Sequence, residues 1–396
     1  MISHPGLAEL KLGPTYETSP GDSSRRSASG PGDSPPRFVR GPGDSPPRAV
    51  RGTVPLALPP LVLVLLFGLP SVLAAQSFNL TGTRARGMGD AFVAVVDDAS
   101  ATWWNPAGLP NSLIVDGVVD FQSDGFIDPQ PTPISVRSAG ARNGSFGVAF
   151  AFPAVGVSYY RVRQSGLEPT TAQGGPGRQD PGTAPLARSL LSQQLGVSLV
   201  QSIGDALVVG GTVRLVRGSV ATVPASAADP DAALDAVADA SGPESTHGDV
   251  DLGALLRLSR VRVGVAARNL AAPEYRADDG LVWRVDRAVR VGVAVVGDAD
   301  RAGRQVWTVA CDADLTRERT PIGDRRELAV GVERWIHSRR VGLRGGLHVS
   351  TVDDARPAVA GGASVMLSGG LWVEGQAVGG ADRASRGWGL SAHVMF

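Results

Sequence analysis

The chain has 396 residues and no net formal charge, with 38 basic and 38 acidic side chains. That balance excludes the broad basic surface on which nucleic-acid binding depends. A single cysteine, Cys311, excludes an internal disulfide framework, and the five histidines form no pair at ligand spacing, so no metal and no cofactor is expected. Lys11 is the one lysine; the predominance of Arg reads as genome base composition, not phosphate recognition. Glycine is abundant at 51 residues, which suits strands with one face in lipid and one toward a polar lumen. Aromatic content is 5%, thin for full aromatic girdles.

Residues 1–49 are rich in Gly, Pro, Ser and Arg. They carry an 11-residue duplication, Gly-Pro-Gly-Asp-Ser-Pro-Pro-Arg-x-Val-Arg, at 30–40 and 41–51. Such a segment buries no apolar core and is expected to be disordered. The apolar run Leu61–Leu69 and then Val72-Leu73-Ala74-Ala75-Gln76 read as a secretory signal peptide over 50–75, cleaved near Ala74/Ala75. The run is too short to be a spanning helix. Its internal position leaves two expectations open: a start near Val50, with 1–49 outside the true frame, or a genuine long leader.

Residues 76–112 precede the first strand. Gly87 and Gly89 permit tight turns and close backbone approach. Ala91 to Val96 is small and apolar. Asp97 and Asp98, before Ala99, suit a cap on the turn that follows or a pairing with lumen arginines. Asn105-Pro106-Ala107-Gly108 reads as a turn in which Asn satisfies local backbone groups.

From Leu113 to Phe396 period-2 alternation recurs. Val341, Leu343, Leu347 and Val349 share one face, and Gly342, Arg344, Gly346 and His348 the other. Val261, Val263, Val265 and Ala267 oppose Arg262, Gly264 and Arg268; Trp388, Leu390, Ala392, Val394 and Phe396 oppose Gly389, Ser391, His393 and Met395. Each run has about the 10 residues that a tilted membrane-crossing strand needs. Tight turns at Gly204-Asp205, Ser259-Arg260, His337-Ser338 and Ser368-Gly369 alternate with longer polar connections at 164–190, 221–247, 270–282, 316–325, 351–356 and 379–385. Short turns at one end and long loops at the other mark an outer-membrane barrel rather than a soluble sandwich. The fold class expected is therefore all-β: a transmembrane antiparallel β-barrel of about 14 strands, with an N-terminal lumen plug on the resemblance given below.

Parity refines this. With strands at about 113–122 and 133–141 and a turn at Asn143-Gly144, the long loops fall outside only if 145–163 is one strand, bent at Pro153; the alternative left open is Pro153 in an ordinary hairpin turn. Lumen-facing charges are expected at Arg214, Asp249, Asp251, Arg262, Arg268, Asp312, Asp314 and Arg344, pairing across the lumen. Trp283, Trp307, Trp335, Trp372 and Trp388 are expected as interfacial anchors. Ala225–Ala240 is expected to form a short helix over the outer mouth. No Ser/His/Asp constellation has credible spacing, since His247-Gly248-Asp249 is a local coincidence, so an enzyme is not expected.

The series Gly87-x-Gly89-x-Ala91, Asp97-Asp98-Ala99 and Asn105-Pro106-Ala107 resembles the start of mature proteins in the long-chain fatty acid transporter (FadL) superfamily, including its PorV/PorQ-like branch. The resemblance implies a plug that enters the lumen and a third strand kinked inward, which Pro153 and Gly156 would supply, as a lateral opening. It implies passive uptake of apolar small molecules, fatty-acid or hydrocarbon-like, through the outer membrane of a Gram-negative cell. The alternative it leaves open is a PorV-like partner or shuttle of a secretion system. Expected partners are outer-membrane lipid, a hydrophobic small-molecule ligand, secretion-system proteins on the alternative reading, and no nucleic acid. Phe396 resembles the C-terminal signal read by the barrel-insertion machinery.

Overall fold

The computed structural model describes residues 78–111, 115–127, 140–168, 186–225, 230–297, 305–320, 323–353, 355–380 and 385–396. The leader at 1–49 and the signal peptide at 50–75 with its cleavage site lie outside the described residues.

The strands are β1 (Asp116–Ile127), β2 (Gly140–Phe152), β3 (Val155–Glu168), β4 (Leu186–Ile203), β5 (Leu207–Pro224), β6 (Glu244–Leu258), β7 (Val261–Arg268), β8 (Glu274–Arg276), β9 (Val282–Arg284) and β10 (Ala288–Val296). They continue as β11 (Trp307–Asp314), β12 (Glu318–Thr320), β13 (Gly323–Arg325), β14 (Glu327–Ile336), β15 (Val341–Ser350), β16 (Ala358–Ser368), β17 (Leu371–Gly380) and β18 (Ser385–Met395). Fourteen of them close a barrel in the order β1-β18-β17-β16-β15-β14-β11-β10-β7-β6-β5-β4-β3-β2, and β8-β9 and β12-β13 are separate two-stranded sheets. Closure pairs β1 with β18 through Asp116↔Met395, so neither edge is left open.

Alternation explains which way each strand faces. On β4, Leu195, Val197 and Leu199 are exposed while Gln194 and Ser198 are buried. On β15, Leu343 and Leu347 face out while Arg344 and His348 are buried. The outward faces form an apolar wall and the inward faces a polar lumen, the division a bilayer imposes. Among the described residues no helix is long and apolar enough to cross a membrane.

The expected short turns at 204–205, 259–260, 337–338 and 368–369 all connect consecutive barrel strands at one end. Phe396 donates its amide to the Val115 carbonyl at that same end (2.9 Å), so barrel start and barrel terminus meet there.

One part of the expected layout is corrected. β2 runs through Asn143-Gly144 without a break, and the turn falls instead at Pro153-Ala154, with Ala154 at φ 69°. Ser145 and Ala149 are buried and Phe146, Phe150 and Phe152 exposed, so the pleat of β2 continues past the turn expected at Asn143-Gly144. Pro lacks a ladder donor and fits a tight turn better than mid-strand. The strand count and the side on which each long loop falls survive, because the turn moved by about one strand segment while the number of strands stayed even. β3 pairs without interruption with β2 (Phe152↔Val155 to Ala141↔Gly166) and with β4 (Val155↔Leu199 to Glu168↔Leu186). The kink expected at Pro153 and Gly156 is therefore absent from the described wall. Gly156 instead faces the lumen, where a Cβ would lie 2.7 Å from Thr102 Cγ2 of the plug.

The tryptophans also divide differently. Trp388 is exposed on the lipid side, but Trp283, Trp335 and Trp372 are buried. Trp335 lies under the Arg339 guanidinium (4.2 Å to the ring centre), and Trp372 donates to the Arg339 carbonyl (2.9 Å).

At the outer end, β4 and β5 run 18 residues each, beyond what a bilayer requires. A helix at Pro230–Asp239 packs there, with Leu234 and Val237 against Leu167, Ala187 and Ala221. A helix is expected within 225–240 and is found, but its expected place over the outer mouth is corrected: it lies on the outside of the wall. Alternation places Leu167, Ala187 and Ala221 on the outward faces of β3, β4 and β5, so the helix braces the outside of the extended wall. The β8-β9 hairpin closes over the barrel with Tyr275 and Trp283 packed against Leu190, Val216 and Val220. Burial pushes the Tyr275 phenol up from its ordinary value.

Candidate functional site

The lumen is filled by residues 78–111. Their elements are short: a 3-10 turn at Phe78–Leu80, α1 (Thr83–Gly87), α2 (Ala101–Trp104) and a 3-10 turn at Pro106–Asn111; the outer-wall helix at Pro230–Asp239 is α3. From Phe78 to Leu109 every residue is buried except half-buried Asp97. Phe78, Phe92, Trp103 and Trp104 form the plug's own core, with Trp103 edge-on to Tyr160 of β3 (4.9 Å).

Short elements leave many backbone N–H groups unpaired. Barrel carboxylates accept them. Asp120 of β1 accepts from the Gly82 and Thr83 amides (3.1 and 2.7 Å), at the start of α1. Asp312 of β11 accepts from the Phe92 and Val93 amides (both 2.8 Å). Asp116 accepts from the Ala99 amide (2.7 Å) and lies 2.6 Å from His393 Nε2. These clamps fix the plug by its main chain, independent of side-chain choice.

Charged side chains supply the second set of contacts. Arg84 reaches Asp97, Asp98 (2.8 Å) and, with two nitrogens, Glu333 of β14 (2.9 and 2.7 Å). Arg344 shares Glu333 (2.7 Å) and also meets Glu374 (3.1 Å). Arg290 joins Asp314 (2.6 Å), Glu327 (2.9 Å) and the Asp90 carbonyl (3.2 Å). Arg86 binds Asp90 (2.6 Å) and Asp124 (2.8 Å). Buried guanidinium–carboxylate pairs of this kind are costly to break from one side.

Close approach is the third device. Gly89 has φ +63°, and a Cβ there would sit 2.5 Å from the Leu347 amide. A Cβ on Gly346 of β15 would sit 2.3 Å from the Met88 carbonyl carbon. Glycines on the inward face of the barrel make the seat, so part of the high glycine content serves plug packing.

The residues expected from sequence fall into place as follows. Gly87 touches Gly362 of β16, Ala91 is buried, and Asp98 accepts from the Ser100 amide (2.9 Å) as a local cap. Ala99 is held by Asp116 as above. Asn105 donates to the Val93 and Ala254 carbonyls (2.9 and 3.3 Å) and accepts from the Ala107 amide (3.1 Å). Pro106 abuts Gly253 of β6, and Gly108 donates its amide to the Asn105 carbonyl (2.8 Å). Among the lumen charges, Arg214 binds Asp249 and Asp251 (2.7 Å), and Arg268 lies 3.4 Å from Asp251 and 3.7 Å above the Trp103 ring. Asp312, Asp314 and Arg344 belong to the plug contacts. Arg262 is half-buried and register-paired with Arg257.

Sequence reasoning missed Arg84, Arg86, Asp116, Asp120, Arg290, Glu327, Glu333 and Glu374. The strand members of this set sit at inward positions of their alternation, which was the available signal. It also missed the convergence of Asp90, Glu327 and His348, whose ligand atoms lie within 4.8 Å of one another. Asp90 is paired with Arg86 and Glu327 with Arg290 and Arg325, so these carboxylates already have cationic partners. The two carboxylates are the acidic side of an ion-pair cluster, with His348 3.3 Å from Asp90, rather than a set of free metal donors.

A cavity of about 20 Å³ remains between plug and wall, lined by Gly82, Trp104, Asp120, Tyr160 and His393 among others. That is room for roughly one water.

A family model, "F plasmid transfer operon, TraF, protein", matches residues 178–314, less than half of the chain. No curated protein matches. Among solved structures, the toluene transporter TbuX of Ralstonia pickettii aligns over 81% of this chain and 100% of its own, at 13% identity and a TM-score of 0.53. The P. putida toluene transporter TodX covers 82% and 99%, at 14% identity and a TM-score of 0.51. A Pseudomonas aeruginosa FadL homologue covers 82% and 100%, at 13% identity and a TM-score of 0.50. At such identities the likeness is one of fold: the chain has a FadL-type barrel, the architecture its plug motif resembles.

Proposed function

We propose that the protein is an outer-membrane barrel for passive uptake of apolar small molecules, hydrocarbon or fatty-acid in kind. The observation that carries this reading is the closed 14-strand barrel filled by its own N-terminal segment, shared in fold with barrels described as toluene transporters. No energy source is encoded, so flow follows the gradient. Passage requires something to move. The wall is laddered continuously from β2 to β4, which removes the support that a strand kink would give to lateral release. The plug is held by side chains and capped amides, and we place the gate there. Phe396, exposed at the short-turn end beside β1, is proposed as the insertion signal.

A second reading has one observation in its favour. A plug buried from Phe78 to Leu109, apart from half-buried Asp97, suits a scaffold or shuttle of a secretion system, which carries its partner outside the barrel. The test is purified protein in vesicles, with radiolabelled toluene and oleate offered outside. Entry above protein-free vesicles supports uptake. No entry of either probe, with co-purification of a defined secretion component from the native membrane, overturns it.

A further inference from the structure

The outer surface of the barrel carries a feature that uptake does not use. Below the C-terminal end of α3, a groove of about 480 Å³ is lined by Phe121 and Ser123 of β1, Gly144 and Phe146 of β2, Arg161 and Arg163 of β3, and Asp239. Register aligns it: Phe121 pairs with Phe146, which pairs with Arg161, while Ser123, Gly144 and Arg163 form the row above. Phe121 and Phe146 are exposed, Arg161 is exposed and Arg163 half-buried. Arg161 and Arg163 share the outward side of β3 with Val157, by period 2. Gly144 adds no side chain and leaves the row open.

These two arginines are treated differently from their neighbour. Arg142, on the same outward side of β2, is consumed by Asp231 (2.8 Å) and Asp235 of α3. Among the described residues, Arg161 and Arg163 make no ion pair with a carboxylate. Asp239, exposed in the groove lining, acts on Arg163 by charge without an ion pair, so two arginines face one carboxylate and the groove keeps a net positive charge. The arginines lie six and eight residues above the start of β3 at Val155, or roughly 15 to 20 Å along the membrane normal for a strand tilted about 40°. That places them in the upper part of the apolar band, from which long side chains reach up to headgroups. An unpaired guanidinium facing lipid is costly unless a phosphate meets it, and the planar fork suits phosphate geometry.

We propose that this groove seats a phosphate-bearing lipid of the outer leaflet, with the phosphate on Arg161 and Arg163 and an acyl chain laid over Phe121 and Phe146. Bound lipid would also shield the junction of α3 with the wall. The site is separate from the lumen, so it stands or falls apart from uptake.

The test uses the full-length protein in detergent and native mass spectrometry. Dilauroyl phosphatidate, dilauroyl phosphatidylcholine and inorganic phosphate are titrated in turn. The expected result is at least a tenfold preference for phosphatidate over phosphatidylcholine. The preference is lost in R161Q/R163Q, kept in R161K/R163K, and kept in R217Q, whose arginine is outward but paired with Glu244. Heat-modifiable gel migration shows that each variant is a folded barrel. Equal binding of the two lipids, or unchanged preference in R161Q/R163Q, overturns the proposal. Displacement of phosphatidate by an equal concentration of inorganic phosphate also overturns it, because the site would then bind a free anion.

Discussion

Glu333→Gln is the sharpest perturbation of the plug. Glu333 is buried and accepts two hydrogen bonds from Arg84 of the plug (2.9 and 2.7 Å) and one from Arg344 of the wall (2.7 Å). Glutamine keeps the volume and removes the charge. Removing one partner of a buried ion pair costs about 3–5 kcal/mol. Arg84 retains Asp97 and Asp98, and Arg344 retains Glu374, so the low end, about 3 kcal/mol, is expected. That corresponds to about a hundredfold rise in plug opening. Hydrogen exchange read by mass spectrometry on peptides spanning 83–98 should show protection falling by that factor. Peptides from β4 and β5, laddered over 18 residues, should be unchanged. A change in the plug of less than about threefold, or an equal loss in β4 and β5, would refute the claim that Glu333 couples plug to wall without holding the barrel together.

Gly346→Ala should unseat the plug locally, because the new methyl would meet the Met88 carbonyl at 2.3 Å. Trypsin, expected to spare buried Arg84 and Arg86 in the native barrel, should then cut there; continued resistance would contradict the seat. Pro153→Ala should change stability by less than about 1 kcal/mol, since it replaces a turn residue; a large change in heat-modifiable migration or in uptake would restore the kinked-strand reading. Cys311 is exposed on the outer face of β11. A nitroxide placed on it should be relaxed by oxygen dissolved in the bilayer and not by a water-soluble nickel chelate; the reverse would contradict the lipid-facing assignment.

The alternation of β7, β15 and β18 was plain in the sequence because every second residue meets lipid, and lipid admits few side-chain types. That regularity supplied the barrel and its strand count. The misplaced turn shows where pattern fails. Asn-Gly is a strong hairpin signal in water, yet Asn143 lies on an unbroken ladder, paired with Asp124 and Gln164. Pro153-Ala154 was the turn. Residue type points Trp335 and Trp372 to the lipid interface, but alternation puts them on the same faces as Glu333 and Glu374. The lumen charges of β5, β6 and β7 were legible, being inward positions with opposite charges nearby. Their counterparts in the plug were not, because short turns of helix carry no period, and the partners of Arg84 and Arg86 lie as far as 249 residues away.

The central claim, that apolar molecules pass where the plug now sits, is tested most directly by locking it. A Cβ on Gly389 of β18 would lie 3.1 Å from Thr83 Oγ1, near the about 3 Å between a Cβ and the far sulfur of a disulfide. The variant T83C/G389C, in a C311S background, should close a disulfide between plug and wall under oxidation. Uptake of radiolabelled toluene or oleate into vesicles should fall to the protein-free level when oxidised and return on reduction. Undiminished uptake with the disulfide formed would contradict the account.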